Sequence, residues 1–477
     1  MDTTAKRVAR NTLWLFSLAL AGRLLSFVLI VYLARKLGDY SFGKFFFAGA
    51  FVQIFIMLAD LGVSFLIIRE VARDRANTAK YFGNGFFIKA LLSFLTFGLM
   101  IMGAHILKCP PDTRAIIYLV GLCYILESMA NLCGSIFRAF ERMQYIFWAE
   151  LIEKAARVLL CFLFLSLGYG LLAVAWLYLF SAVLYLGLNM IFLFRNIGKP
   201  SFRPDIAFAW SLLRESLPFA LTGLLLTFYY YIDAVMLGRM KGELVVGWYS
   251  ASYQLYIALG MMASVFLSAV FPVMARLAKT SLATLRKVYE KCFKYLLALG
   301  LPLAAGGVLL GKPLILLFYG AGFHNSVLPF QLIMAIIAFS YINSLLSYFL
   351  TAVDRIHDNN KLFAVCVLTN VGLNFALIPP YSYAGAAIAT MTSEALFCVL
   401  ALIYVSRNFG LNVPWNPLLK ALAAAGIMGV VAYLAININL ALLIALSALL
   451  YFVLLRLFGY FNQEDKLLFK EVIGLRA

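Results

Sequence analysis

Residues 12–34 read TLWLFSLALAGRLLSFVLIVYLA, an apolar run with one charged side chain, Arg23, close to its middle. As a helix rising about 1.5 Å per residue, such a run crosses the roughly 30 Å of hydrocarbon in a bilayer. Lys6, Arg7 and Arg10 precede it as they would precede a signal. The run is too long for the apolar centre of a cleaved signal peptide, so it reads as a retained first span. Working outward, comparable runs cover about 44–68, 82–106, 115–137, 146–167, 171–194, 214–237, 247–275, 291–310, 327–353, 361–379, 384–406, 418–436 and 439–458. The expectation is an all-α membrane protein of about fourteen transmembrane helices.

Composition agrees. Of 477 residues, 64% are hydrophobic and 13% charged, with mean hydropathy +0.94. Soluble domains run about 45–50% apolar and about 25% charged, so the surplus apolar surface needs lipid as its solvent. A β-barrel would show alternating segments of about ten residues rather than continuous runs. The net charge of +18 excludes no partner by itself. Its placement does: the basic residues sit in short loops, as orientation signals do, and not on a nucleic-acid-binding face.

With the N-terminus in the cytoplasm, 27 of the 39 Lys and Arg fall on the inner side and 8 on the outer. Arg23, Lys89, Lys154 and Arg157 lie within spans. Both termini, including the tail after Leu457, are therefore expected in the cytoplasm of a multi-pass cell (cytoplasmic or inner) membrane protein.

Short matches recur in order along the chain. Leu37-Gly38 corresponds to Leu237-Gly238, and AFER (139–142) to AVDR (352–355). Tyr169 with Ala173-Val174-Ala175 corresponds to Tyr383 with Ala387-Ile388-Ala389. The offsets of 200, 213 and 214 relate spans one to six with spans seven to twelve. Six being even, the repeats enter the membrane from the same side. The expected organisation is an N-lobe (1–195), a C-lobe (196–410) and a C-terminal helix pair with its tail (411–477).

Four stretches carry a family resemblance: ARKLGDYSFGKFFFAGA (34–50), MLADLGVSFLIIREVARD (57–74), SLPFALTGLLLTFYYYIDAVMLG (216–238) and NFALIPPYSYAGAAIATMTSEA (374–395). They resemble the polysaccharide-transporter branch of the multidrug/oligosaccharidyl-lipid/polysaccharide exporter superfamily, whose members include the Wzx-type O-antigen flippases. The resemblance implies two pseudo-symmetric six-helix lobes around a central cavity that opens alternately to each side. It also implies a polyprenyl-(pyro)phosphate-linked oligosaccharide as cargo, carried from the cytoplasmic to the outer leaflet. The extra helix pair is common among flippases of lipid-linked cargo. Membrane lipid, other polysaccharide-assembly proteins and a monomeric state belong to the same implication.

Ionisable groups are costly at membrane depth, at around 2.5–3.5 kcal/mol on insertion scales, and face the interior or a wet cavity. Arg23 lies near mid-membrane, where its forked donors suit phosphate oxygens. The resemblance agrees, since related flippases carry a basic residue in this helix. The competing reading is a structural ion pair, for instance with Asp60. Lys89 is either a cargo contact or a side chain that snorkels to the interface. Asp60, Glu127, Asp233 and Glu394 are candidate ion-coupling carboxyls, with H+ or Na+ as the ion, and helix packing competes at Asp60 and Asp233. Tyr230 and Tyr253 belong to an aromatic group that either stacks on sugar rings or forms an interfacial belt. Glu150–Lys154 and Glu153–Arg157 are expected as i,i+4 pairs on span five.

No metal-ligand cluster, cofactor motif, Gly-rich phosphate loop or nucleophile–base constellation is present in the sequence, and the seven cysteines read as packing. A transporter is therefore expected rather than an enzyme. A cation-coupled multidrug exporter of the same superfamily is the alternative, although those tend to place an acidic residue where this chain has Arg23. A membrane-embedded glycosyltransferase would need a larger outer loop than any here.

Overall fold

The computed structural model describes residues 3–198 and 205–461. Those residues are helical and connected by short turns, with no strand among them. Apart from their ends, helices satisfy their backbone groups internally, which is what lipid demands. The chain forms two compact units, Met1–Ser250 and Ala251–Ala477, a division by packing rather than by sequence repeat.

In the first unit, α1 (Thr3–Ile56) holds the first expected span and the start of the second, interrupted at Gly38 with φ 74°. Glycine adopts that left-handed conformation without a Cβ penalty. A 3-10 turn, Met57–Ala59, and two residues with positive φ, Leu61 and Gly62, precede α2 (Val63–Arg73). The continuous span expected over 44–68 is thus broken at its Asp60-Leu61-Gly62 segment. Broken helices are tolerated at membrane depth where protein surrounds the freed backbone. α3 (Thr78–Ile106), α4 (Pro111–Ala139), α5 (Met143–Ser166), α6 (Leu171–Asn196) and α7 (Ile206–Lys241) follow. α8 (Glu243–Thr280) begins in this unit and continues into the second.

Helical spacing puts Val63, Leu66, Ile67 and Val71 of α2 on one face. There they join a buried cluster with Phe82, Leu132, Ile136 and Phe137 from α3 and α4. Outward-facing apolar residues remain bare, such as Phe94 at 78% and Leu159 at 69% exposure. That is the expected distribution when the surrounding solvent is as apolar as the core.

The second unit continues with α9 (Leu282–Leu309), α10 (Gly311–Tyr319), α11 (Val327–Met334) and α12 (Ile337–Ala352). It closes with α13 (Ile356–Phe409), α14 (Trp415–Leu434) and α15 (Leu440–Leu457). α11 and α12 meet at a 48° bend inside the single span expected over 327–353. α13 carries two expected spans joined at Ser382 (φ 53°), just after Pro379-Pro380. Proline cannot donate into the helical ladder, so the ladder fails there. α14 lays a small-residue face, Ala421, Ala424 and Ala425, against Ala298 of α9, which lets the backbones approach closely.

By length and apolar character, nine helices among the described residues can cross a membrane, or ten with the bent pair counted as one span. This is a multi-pass helical membrane protein. The criterion does not reach fourteen. It counts α1 and α13 once each, and α5 carries Glu150, Glu153, Lys154 and Arg157. The expected cytoplasmic tail beyond residue 461 lies outside the described residues.

Candidate functional site

The polar groups of the first unit fall into four places. The first is the break before α2. Lys89 of α3 is only 1% exposed. Its ammonium lies 2.5 Å from Asp60 Oδ1 and donates to the Ser128 carbonyl at 2.7 Å and to Ser64 Oγ at 3.2 Å. All three donors of the ammonium are used. Lys89 therefore does not snorkel: a carboxylate and a helix carbonyl satisfy it in place. Asp60 is paired with Lys89, and not with Arg23 as the competing sequence reading supposed.

The second place lies between α4, α5 and α6. Arg157 Nη2 is 2.6 Å from Glu127 Oε1 and 2.5 Å from Glu153 Oε1. Arg157 Nε donates to Ser181 Oγ at 2.8 Å, and the guanidinium lies 4.3 Å from the centre of the Tyr178 ring. The Glu153–Arg157 pair expected from i,i+4 spacing is present. Glu127, joining from another helix, is what the spacing along one helix does not reveal. One turn earlier, Lys154 Nζ meets Glu150 Oε1 at 2.6 Å, the second expected pair.

The third place is the end of the unit marked by Gly38 and Gly242. Lys44 is 5% exposed and pairs with Asp112, with Glu243 Oε2 at 3.6 Å. Thr113 donates to Glu243, and Trp248 Nε1 donates to Asp39 Oδ2 at 2.9 Å. A Cβ on Gly43 would collide with the Glu243 carbonyl oxygen, and one on Gly247 with that of Asp39. The start of α8 is thus clamped backbone-to-backbone on the second half of α1. No sequence motif announced this clamp beyond the glycines themselves.

The fourth place is Arg23, exposed on α1 and flanked by exposed Leu20 and Leu24. Its side chain makes no ion pair or hydrogen bond with a described residue. Elsewhere in this unit, Asp233 is 4% exposed and accepts from Tyr249 Oη at 2.7 Å. Tyr230 is half exposed and packs edge-on against Tyr229.

In the second unit the polar interior is a seam between α12 and α13. Asn343 Nδ2 donates to Glu394 Oε2 at 2.6 Å and to the Glu394 carbonyl at 3.0 Å. Asn374 donates to Asn370 at 3.0 Å, and Asn370 to Ser393 Oγ at 3.4 Å. Tyr253 is buried and tilted against Tyr256, whose hydroxyl meets Ser340 Oγ. All seven cysteines are free and buried. Among the described residues no three His, Cys, Asp or Glu are grouped to hold a metal.

Ion pairs between packed helices and an exposed guanidinium among apolar neighbours thus place charge within apolar helices of the first unit. Residues 8–278 match the family described as polysaccharide biosynthesis protein. The chain belongs to that family. It is 25% identical over 258 residues to the "Probable flippase AglR" of Haloferax volcanii, covering 52% of this chain and about half (54%) of that one. It is 21% identical over 427 residues to the "Probable low-salt glycan biosynthesis flippase Agl15" of the same organism, covering 88% and 89%. The fold is that of a solved structure of the lipid II flippase MurJ in an inward closed conformation. The TM-score there is 0.77 at 15% identity, over 96% of this chain and 100% of that one. The family match bears out the resemblance to polysaccharide transporters read from the sequence.

Proposed function

We propose that this protein is a flippase that moves a polyprenyl-(pyro)phosphate-linked oligosaccharide from the cytoplasmic to the outer leaflet of the cell membrane by alternating access, with both termini cytoplasmic. The observation that carries the reading is Arg23: a guanidinium in the middle of an apolar run, exposed, with no described counter-ion. A fixed cation in that setting is stabilised by an anionic passenger with forked oxygens, which a phosphoryl head group supplies. Family membership and the flippase names of two relatives support the same cargo class. Glu394, with its amide partner Asn343, is the carboxyl we assign to H+ or Na+ coupling.

The test is leaflet transfer of a polyprenyl-diphosphate-linked oligosaccharide by the reconstituted full chain. Loss of one charge-assisted contact corresponds to about tenfold or more. Arg23→Ala should lower transfer by at least that much, and Arg23→Lys should lower it less, because charge is kept while the fork is lost. Transfer unchanged in Arg23→Ala would remove the site. A parent protein that moves cationic drugs but no lipid-linked saccharide would remove the function.

A further inference from the structure

The two cations of α5 sit one turn apart and are used differently. Arg157 is paired with two carboxylates, Glu127 and Glu153, and donates to Ser181. Lys154 has one described acceptor, Glu150, leaving two of its three N–H donors. Its side chain is 24% exposed and that of Glu150 29%, so the pair lies at a margin, whereas Lys89 is sealed.

The Lys154 side chain also crosses α1 at a particular residue. A Cβ built on Gly22 would stand 2.8 Å from Lys154 Nζ and 3.3 Å from its Cδ. The ammonium reaches this position because Gly22 has no side chain. Its neighbour in the chain is Arg23. The ammonium is thus set against α1 at the residue next to Arg23 in the chain, and Arg23 has no described carboxylate. A diphosphate carries several oxygens and accepts from two cations in one neighbourhood at once.

We propose that Lys154 is a second cation of the head-group site, brought beside Arg23 by Gly22 and held between cargoes by Glu150. This rests on the reading of Arg23 given above. In this scheme phosphoryl oxygens of the cargo take the place of the Glu150 carboxylate on the ammonium, and no bond is made or broken. Glu150 is a positioning residue. It keeps Lys154 from meeting the empty site with an unpaired charge, and it weakens cargo binding by competing for that charge.

The experiment is equilibrium binding of a fluorescent polyprenyl diphosphate to the full-length protein in lipid nanodiscs, with the uncharged polyprenol as control. Lys154→Gln should weaken binding of the diphosphate about tenfold and leave that of the polyprenol unchanged. Gly22→Ala should weaken it in the same sense with every charge retained, because the new methyl displaces the flexible end of Lys154. Glu150→Gln should tighten binding, an effect that a damaged fold cannot imitate. If Lys154→Gln binds like the parent while Arg23→Gln does not, the role of Lys154 is overturned and the reading of Arg23 stands. If Arg23→Gln also binds like the parent, the reading of Arg23 falls first. If Glu150→Gln weakens binding as much as Lys154→Gln, the pair is only a brace between turns of α5, and the proposal is overturned.

Discussion

The two units solve the problem of polarity inside a membrane differently. The first unit uses ion pairs: Lys89 with Asp60, and Arg157 with Glu127 and Glu153. The second uses an amide and hydroxyl seam, Asn343, Asn370, Asn374 and Ser393, with Glu394 held by an amide. An ion pair at a low-dielectric site is strong only while both members are present, and removing one leaves a stranded charge. An amide seam has no such all-or-none member, since each group can be replaced by another neutral donor or acceptor. The first unit is therefore expected to be the brittle one, and the second the one in which a charge can come and go.

The largest effect follows from stranding carboxylates. Arg157→Met, which leaves Glu127 and Glu153 facing each other, should cost about 3–5 kcal/mol, and Lys89→Met, which strands Asp60, a similar amount. Thermal unfolding in detergent measures both. Restoring most of the loss in the double variant Lys89→Met/Asp60→Asn would show that the stranded charge was the cause. A loss below about 1 kcal/mol in either single variant would erase the contrast between units.

An intermediate effect is expected in the seam. Asn343→Leu removes one donor to the Glu394 carboxylate and should cost about 1.5–3 kcal/mol, the range for losing a hydrogen bond to a charged group. The same unfolding assay reads it, and a loss as large as that of Arg157→Met would show the seam to be just as brittle. The smallest effect belongs to Glu394→Gln, which keeps an oxygen acceptor for Asn343 and should change stability by less than about 1 kcal/mol. Under the coupling assigned to Glu394, its transfer activity should stop responding to an imposed H+ or Na+ gradient. A retained response moves the coupling elsewhere.

The sequence made the spans legible because each needs an apolar run of membrane length, and that property is local. The pairs on α5 were legible for the same reason, since i,i+4 spacing is local too. The break before α2 was not. Its only marks are Asp60, Leu61 and Gly62 inside an otherwise apolar run, and glycine within a transmembrane helix is ordinary. The partner of Lys89 was missed with it, because Asp60 comes within reach of α3 only once the helix breaks. Glu127 reads in the sequence as a candidate ion-coupling carboxyl, and its meeting with Arg157 is not legible there because it depends on how α4 packs against α5. The clamp between α1 and α8 pairs residues about two hundred positions apart, and no periodicity encodes that.

At the clamp, the nearest approach is between glycine backbones at Gly43 and Gly247, with no bulky side chain between them. Surfaces that meet without interlocking side chains can part without leaving a hole to be refilled. A methyl group introduced at either glycine would push the start of α8 off α1, so one carbon atom decides whether this joint can close.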